Sequence, residues 1–370
     1  MQLFLNRRFI FLVLAIAILL LFPYMYTFPF FDGFLDSFRV FQGMRFALWL
    51  IILMGLNLLT GYNGQISLGH AAFVAIGAYI AAILMDDVNI QGDFSMPVVA
   101  AILLGGLITG LIGFLIGIPA LRLSGPYLAI ATLAIVIVLP QVVKHHLVEE
   151  WTGGVMGISL SSPATPEAIG DRMTRDQWLY YACMVPAIIM TAMAWSLTRS
   201  RIGRAFIAIR DSEIGAQQMG VNVSLYKMTA FGLSALYAGT GGALYIFAEG
   251  YLGPASFDIL LSLTMLVMIV LGGLGSITGS IFAAVIMTMR NDLTDWIAGI
   301  IPAGEQIGIE YSRGALFGTL LILTVIFTPR GVAGSIEHMK EAHLGEKLQA
   351  LFSRLTFRGP VKGAREKEEI

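Results

Sequence analysis

The segment 57–70 gathers neutral polar side chains beside two long apolar stretches, and two of them have the chemistry of a hydrolase. Ser67 and His70 are a nucleophile and a general base three residues apart, which places them on one face of a helix. Hydrolysis by a serine nucleophile also needs a third group that orients the base. The residues before Ser67, Gly64-Gln65-Ile66, do not match the G-x-S-x-G pattern of a nucleophilic serine turn. We therefore predict no catalytic residues and expect that the chain is not an enzyme.

The same polar side chains suit a pathway for a small polar solute. The charged ends of a zwitterion lose hydration inside a membrane, which costs several kcal/mol if nothing replaces the water. Neutral amide, hydroxyl and imidazole groups replace part of that water, whereas a fixed charge would bind too tightly for release. Hydrogen bonding between helices is the alternative role for each side chain. The predicted path residues are Asn57, Asn63, Gln65, Ser67, His70, Ser276 and Thr278.

Ser276 and Thr278 belong to the second copy of a weak internal repeat. Gly61-Tyr62-Asn63-Gly64-Gln65-Ile66-Ser67 resembles Gly272-Gly273-Leu274-Gly275-Ser276-Ile277-Thr278, and each lies between two closely spaced apolar segments. Glycine-interrupted segments in corresponding positions of two halves indicate the binding region of a transporter. Chance similarity between glycine-rich turns is the alternative interpretation.

The elements that position these turns are predicted to lie in a membrane. Of the 370 residues, 57% are apolar and 13% are charged, with a mean hydropathy of +0.79, against roughly 25% charged residues in soluble domains. The apolar runs are continuous rather than alternating, which excludes a β-barrel. Since a helix needs roughly 20 apolar residues to cross, we predict an all-α, polytopic membrane bundle of ten transmembrane helices. The predicted spans are 9–28, 45–60, 66–85, 98–118, 126–143, 178–197, 228–248, 258–272, 276–290 and 314–328.

The distribution of charge predicts the orientation of these spans. With a cytoplasmic N-terminus, the cytoplasmic segments hold 16 of the 23 Lys and Arg residues and only 8 of the 24 acidic residues. This bias follows the positive-inside rule. We therefore expect both termini to be cytoplasmic, with a transmembrane domain at 1–330 and a cytoplasmic tail at 331–370.

The basic loop 198–227 is the longest predicted cytoplasmic segment between spans. Within it, 210–222 is predicted to be one short helix, with acidic residues in its first turn and Gly220 near its end. A helix of about two turns is too short to be stable alone, so flanking spans or a cytoplasmic partner must hold it. The sequence has neither a G-x-x-x-x-G-K-[ST] phosphate loop nor an H-E-x-x-H zinc motif. We predict no cofactor and no metal site.

Five segments together resemble the permease subunits of branched-chain amino acid ABC importers, an inner-membrane family. They are 61–73, Thr152-Gly153-Gly154, 203–222, 239–254 and 270–276, and the likeness extends from about residue 45 to 333. The resemblance implies that the loop helix is a coupling helix, which docks into an ATP-binding subunit through a Glu-Ala-Ala…Gly pattern. Here the pattern is Glu213-Ile214-Gly215-Ala216, with Gly220 seven residues after the glutamate. The coupling residues are then Arg210, Asp211, Glu213, Ile214, Gly215, Ala216, Met219 and Gly220.

The same resemblance implies a function and a set of partners. The chain would be the membrane-spanning permease subunit of an ABC importer in the bacterial inner membrane, translocating branched-chain, hydrophobic amino acids on ATP hydrolysis in separate subunits. The implied partners are two ATP-binding subunits, a second related permease, a periplasmic substrate-binding protein and membrane lipid, with no nucleic acid. A urea, short-amide or other amino acid permease is the first alternative. An ion- or proton-coupled secondary transporter is the second, although such proteins place charged residues within their spans.

Overall fold

The chain folds into a bundle of α-helices in the computed structural model, which describes residues 37–85, 98–121, 123, 125–160 and 173–290, and the single positions 19, 21–23, 292, 318 and 322. Within these residues there are eleven α-helices and one antiparallel two-stranded ribbon. The helices are α1 (Ser37–Asn57, continued by a π-helical turn, Leu58–Tyr62), α2 (His70–Met85), α3 (Val98–Ala120), α4 (Pro126–Val143), α5 (Glu149–Thr152), α6 (Arg175–Arg199), α7 (Arg201–Asp211), α8 (Glu213–Gln218), α9 (Val223–Glu249), α10 (Ile259–Gly272) and α11 (Ile277–Thr288). The ribbon pairs β1 (Ile158–Ser159) with β2 (Tyr251–Leu252), and a 3-10 turn follows at Pro254–Ser256.

Apolar helices occupy most of the predicted spans, which confirms the helical membrane architecture. Among the described residues, five segments are long and apolar enough to cross a membrane: Phe38–Tyr62, Val98–Pro119, Arg175–Arg199, Val223–Glu249 and Pro254–Gly272. Three shorter apolar helices are α2, α4 and α11. The predicted spans 9–28 and 314–328, and the predicted tail 331–370, lie outside the described residues, apart from the single helical positions 19, 21–23, 318 and 322.

Helix α9 is the centre of the bundle, where it packs against α1, α2 and α3. The helices approach closely because small residues face each other: Gly77 of α2 lies against Gly239, and Gly113 of α3 lies against Ala235. In lipid such close packing stabilises helix association, since apolar side chains gain little from leaving the lipid tails. On α3, side chains at every fourth position are more than half exposed and form a surface for lipid or another chain. They are Leu103, Leu107, Leu111 and Leu115.

The basic loop is folded as two helices, so the prediction of one helix over 210–222 is wrong. Helix α7 includes Arg210 and Asp211, and α8 begins only after Ser212. Ser212 has an extended backbone, and its Oγ accepts a hydrogen bond from the N–H of Gly215 (3.0 Å), as an N-cap does. Arg210 and Asp211 therefore end α7, the helix that precedes α8.

The Thr152-Gly153-Gly154 motif closes a turn at the opposite end of the bundle. The hydroxyl of Thr152 lies 2.7 Å from the carbonyl oxygen of Val143 and 2.9 Å from that of Val148. Gly153 and Gly154 both have positive φ values, 68° and 55°, which glycine adopts without strain. In this structure the motif stabilises the end of α4.

Candidate functional site

The chain leaves the helical form after α1 and again between α10 and α11, and Asn57 joins these two breaks. Its Oδ1 accepts a hydrogen bond from the N–H of Gly275 (2.9 Å), and its Nδ2 donates to the carbonyl oxygen of Ser276 and to Oγ of Ser280 (2.8 Å each). Asn57 is fully buried, so these bonds satisfy an amide whose burial would otherwise be costly. The two copies of the weak repeat are therefore neighbours in space.

A π-helical turn builds the first break. The N–H of Asn63 donates to the carbonyl oxygen of Leu58 (3.2 Å), and the N–H of Gln65 donates to that of Leu59 (3.1 Å). The hydroxyl of Thr60 donates to the carbonyl oxygen of Gln65 (3.1 Å). Single π-helical turns occur often at functional sites. The irregular segment that follows explains why α2 begins at residue 70 rather than at 66, where the span was predicted to start.

Glycine is required where the two turns meet. A Cβ on Gly61 would overlap Oδ1 of Asn57 and the backbone nitrogen of Gly275. Gly275 has a φ of 70° and Gly64 has a φ of 80°, both in the left-handed region that other residues rarely adopt. The glycines that define the repeat in sequence are therefore the residues that permit contact between its copies.

Arg210 reaches from the end of α7 into this contact. Its Nη1 donates to the carbonyl oxygen of Gly61 (3.0 Å), and a Cβ on Gly275 would lie 3.0 Å from the same nitrogen. The aliphatic part of the side chain packs on Gly64, where a Cβ would lie 2.8 Å from Cγ of Arg210. Its Nε also pairs with Asp211 (3.2 Å). We call the contact of residues 61–64, 275–276, Asn57 and Arg210 the junction.

Ser67 and His70 use their side chains separately. Oγ of Ser67 accepts a hydrogen bond from the N–H of Gly69 (3.3 Å), while Nε2 of His70 lies 2.9 Å from the carbonyl oxygen of Ile52. The structure gives no hydrogen bond between the two side chains among the described residues, so the nucleophile and base of a hydrolase are not assembled. In the same part of the chain, no group of three or more His, Cys, Asp or Glu side chains is placed to hold a metal ion.

Asn63, Gln65 and His70 differ from the other predicted path residues because each has a buried side-chain atom without a hydrogen-bond partner among the described residues. Only 2% of Asn63 and 7% of Gln65 is exposed. Among the described residues, four atoms have no hydrogen-bond partner here. They are Oδ1 and Nδ2 of Asn63, Oε1 of Gln65 and Nδ1 of His70. An unsatisfied buried polar group costs about 1–3 kcal/mol. Such groups are the ones that gain most from a passing polar solute or water.

Ser276 and Thr278 line a cavity of about 380 Å³ beside the junction. Their hydroxyl oxygens are 2.8 Å apart, and Ser276 caps α11 by accepting a hydrogen bond from the N–H of Gly279 (3.2 Å). The guanidinium of Arg199 stacks over the ring of Trp195 at the wall of the cavity (3.8 Å). The second turn thus lines an open cavity on the side where α6 ends.

Helix α8 and Met219, which caps its C-terminal end, present apolar side chains outward while the other face of the helix is fixed to the bundle. Ile214 is 75% exposed and Met219 is 85% exposed, whereas Ala216 is buried. Glu213 pairs with Lys227 of α9 (2.6 Å), whose side chain is only 10% exposed. The helix ends before a glycine, as predicted, since Gly220 has a φ of 82°. A short helix held this way is suited to contact a partner.

Sequence reasoning missed the residues that complete these contacts. Lys227 was counted only as a loop charge, although it is the partner of Glu213. Ser280 and Ser262 lie within apolar helices, where they bond to Asn57 and to the N–H of Ala71. A small polar residue within a predicted span was the available signal, because such residues bond across helices in membranes.

Comparison with known proteins identifies related chains over most of this length. The family model described as "Branched-chain amino acid transport system / permease component" matches residues 41–325. The high-affinity branched-chain amino acid transport system permease protein LivM of Salmonella typhimurium is 31% identical over 308 residues, covering 77% of this chain and 67% of that protein. The probable branched-chain amino acid transport permease protein LivH of Methanocaldococcus jannaschii is 24% identical (77% and 89%), and the autoinducer 2 import system permease protein LsrC of Escherichia coli is 25% identical (80% and 85%). No solved structure matches the chain.

Replacing Asn57 with leucine is expected to destabilise the purified chain, whereas the same change at Asn63 is not. Asn57→Leu removes the hydrogen bonds to the N–H of Gly275 and the carbonyl oxygen of Ser276, both part-buried, at about 0.5–1.5 kcal/mol for each bond. Asn63→Leu, the matched control, removes a buried amide that has no partner among the described residues, so stability should be unchanged or higher. Thermal unfolding in detergent measures both. Equal melting temperatures for the two variants would show that Asn57 does not secure the junction.

Proposed function

Because the chain belongs to the branched-chain amino acid transport permease family, we propose that it is the membrane-spanning permease subunit of an ABC importer. The observation that carries this proposal is the family match over 41–325, to which the structure adds an outward-facing helix on a fixed base, α8. The sequence has no phosphate-loop motif, so the energy is proposed to come from ATP hydrolysis in separate subunits. The ATP-binding subunits must then act on this chain through a direct mechanical contact, and α8 is our candidate for that contact.

The proposed arrangement is a ten-span, multi-pass protein of the bacterial inner membrane with both termini in the cytoplasm. Eight of its spans correspond to the apolar helices described above. The charge bias of the loops supports the orientation, since basic residues collect on the cytoplasmic side. This orientation puts α7 and α8 in the cytoplasm and the Thr152 turn outside.

The proposed partners follow from this arrangement. Two ATP-binding subunits would contact α8 and its counterpart on a second, related permease subunit. A periplasmic substrate-binding protein would deliver the solute to the outer face, and the exposed leucines of α3 would contact lipid or the second permease. Nothing in the sequence or the described residues supports a partner of another class, such as nucleic acid.

The proposed substrates are branched-chain, hydrophobic amino acids. The names of the LivM and LivH relatives support this choice. The LsrC relatives are named for autoinducer 2 import, so membership of this group of permeases does not by itself fix the cargo. Urea, short amides or other amino acids remain the alternative cargo, which titration of the cognate binding protein and competition in uptake would separate.

The proposed translocation path runs past the first break, where Asn63, Gln65 and His70 offer unsatisfied neutral groups. These groups replace part of a solute's hydration without holding it by a fixed charge. Ser276 and Thr278 extend the path to the cavity at the second turn. Ser67 belongs to the same stretch, while the bonds of Asn57 favour a structural role for that residue.

Reversing the charge of Glu213 is expected to uncouple transport from ATP hydrolysis. Glu213→Arg places two cations together at Lys227 and should lower ATP-driven uptake in the reconstituted complex by about tenfold, equivalent to about 1.4 kcal/mol. Adding Lys227→Glu restores an opposite pair and should recover uptake. Arg201→Glu, a charge reversal at an exposed position of α7 outside the docking helix, is the matched control. An equal loss in Arg201→Glu, or no cross-link from Ile214→Cys to an ATP-binding subunit in an active complex, would contradict docking through α8.

Asn63→Leu is expected to lower uptake by about fivefold, the effect of one lost hydrogen bond to the solute, while ATPase stimulation by the binding protein and complex assembly persist. His70→Ala should have the same pattern. Ser234→Ala is the control, since Ser234 is also buried and without a partner among the described residues, but lies on α9. Initial rates in proteoliposomes measure the effect. If uptake falls only as far as the amount of assembled complex falls, these side chains are structural and the path runs elsewhere.

Two methionines of nearly equal exposure test the orientation. Met156 is 86% exposed in the loop proposed to be outside, and Met219 is 85% exposed in the loop proposed to be inside. In a Cys183→Ser background, an impermeant thiol reagent should label Met156→Cys in intact spheroplasts and Met219→Cys only in inverted vesicles. The reverse pattern would overturn the proposed orientation.

A further inference from the structure

Arg210 is directed into the membrane part of the protein, although it lies in the loop assigned to docking. Its Nη1 donates to the carbonyl oxygen of Gly61, and the side chain is 39% exposed. A residue that served only to bind an ATP-binding subunit would present its guanidinium to the cytoplasm. The contacts with both glycine-rich turns require another role for this side chain.

We propose that Arg210 is a positioning residue that carries the displacement of α8 to the junction of the two turns. This inference rests on the proposed function, since it takes α8 to be the docking helix. Only Ser212 separates α7 from α8, so a movement of α8 acts directly on the end of α7. Phe206 and Ile209 are buried, so α7 is packed against the bundle and can move as a rigid helix.

In the junction, a displacement of the Gly61 carbonyl group is transmitted to the residues of the proposed path. Asn63 and Gln65 follow Gly61 by two and four residues, and the intervening Gly64 packs on the stem of Arg210. The π-helical turn ends at Tyr62, directly before Asn63, and single turns of this kind occur often at functional sites. A small shift of the Gly61 carbonyl therefore changes where the unsatisfied amides of Asn63 and Gln65 point.

The second turn takes part because Asn57 links it to the first. The N–H of Gly275 bonds to Asn57 (2.9 Å), and Gly275 lies beside the guanidinium of Arg210. The rigid, planar guanidinium has five donors, which lets one side chain contact two backbone segments at once. Lysine keeps the charge and one donor group but lacks this geometry.

A purely structural tie and a positioning role predict different measurements. Loss of a structural tie lowers assembly, ATP hydrolysis and uptake together. Loss of a positioning residue separates them, because the ATP-binding subunits still close while the turns no longer follow. The ratio of solute transported to ATP hydrolysed distinguishes the two.

The test uses the full complex in proteoliposomes with its binding protein. Arg210→Gln should assemble, retain stimulated ATP hydrolysis and lower the transported solute per ATP by at least about tenfold, as for the loss of a hydrogen bond from a charged donor. Arg210→Lys should recover part of the ratio. Arg204→Gln removes the same charge from the same helix, where Arg204 bonds only to the carbonyl oxygen of Arg199 among described residues, and should leave the ratio unchanged.

A parallel fall of uptake and ATP hydrolysis in Arg210→Gln, or an equal change of the ratio in Arg204→Gln, would overturn the positioning role. A wild-type chain that neither co-purifies with an ATP-binding subunit nor supports ATP-driven uptake would instead refute the proposed function.

If Arg210→Gln does not assemble, a second measurement tests the positioning role with Arg210 unchanged. Spin labels are placed at Ile66→Cys and Leu274→Cys in a complex whose only other change is Cys183→Ser. These positions lie one beside each turn, and each is about half exposed. Their separation should change with a non-hydrolysable ATP analogue, and an unchanged separation while a label at Ile214→Cys moves would exclude the proposal.

Discussion

A polypeptide that leaves the helical form within a membrane protein must find partners for its backbone inside the protein. Here the buried amide of Asn57 supplies them for the second break, and its own position at the end of α1 brings the first break to the same place. The rest of the site depends on this contact. It places Gly61 against Gly275, which leaves a space for the guanidinium of Arg210, and it sets the end of α1 beside the N-terminus of α11.

The sequence predicts well those features that a membrane imposes on each segment separately. Continuous apolar runs gave eight spans that coincide with apolar helices, because crossing hydrocarbon sets both length and composition. The weak repeat also indicated two equivalent turns. That the turns touch follows from bonds between residues more than 200 positions apart, such as Asn57 with Gly275 and Ser280, and no local pattern contains them. The boundary at Ser212 was different, since Ser200 and Ser212 each cap a helix and both signals were present in the sequence.

The polar residues of 57–70 have one composition but two physical states. The side chains of Asn57 and Ser67 form hydrogen bonds within the protein, whereas Asn63 and Gln65 have buried side-chain atoms without hydrogen-bond partners. Sequence alone could not separate the two groups, because an asparagine with satisfied hydrogen bonds and one without partners are the same residue in similar surroundings. The difference lies in what the neighbouring turn offers, and only the folded arrangement reveals it.

The basic residues of the 198–227 loop also divide in this way. A count of charge treats them as equivalent contributions to orientation, yet Arg199 stacks on Trp195, Arg210 bonds to the first turn and Lys227 pairs with Glu213. Arg210 and Lys227 therefore connect the loop to other elements, whereas the contact of Arg199 with Trp195 lies within α6. A loop that serves only to orient the chain needs its charges in solvent. Arg210 and Lys227 instead connect the loop to the junction and to α9, so a displacement of the loop must change both contacts.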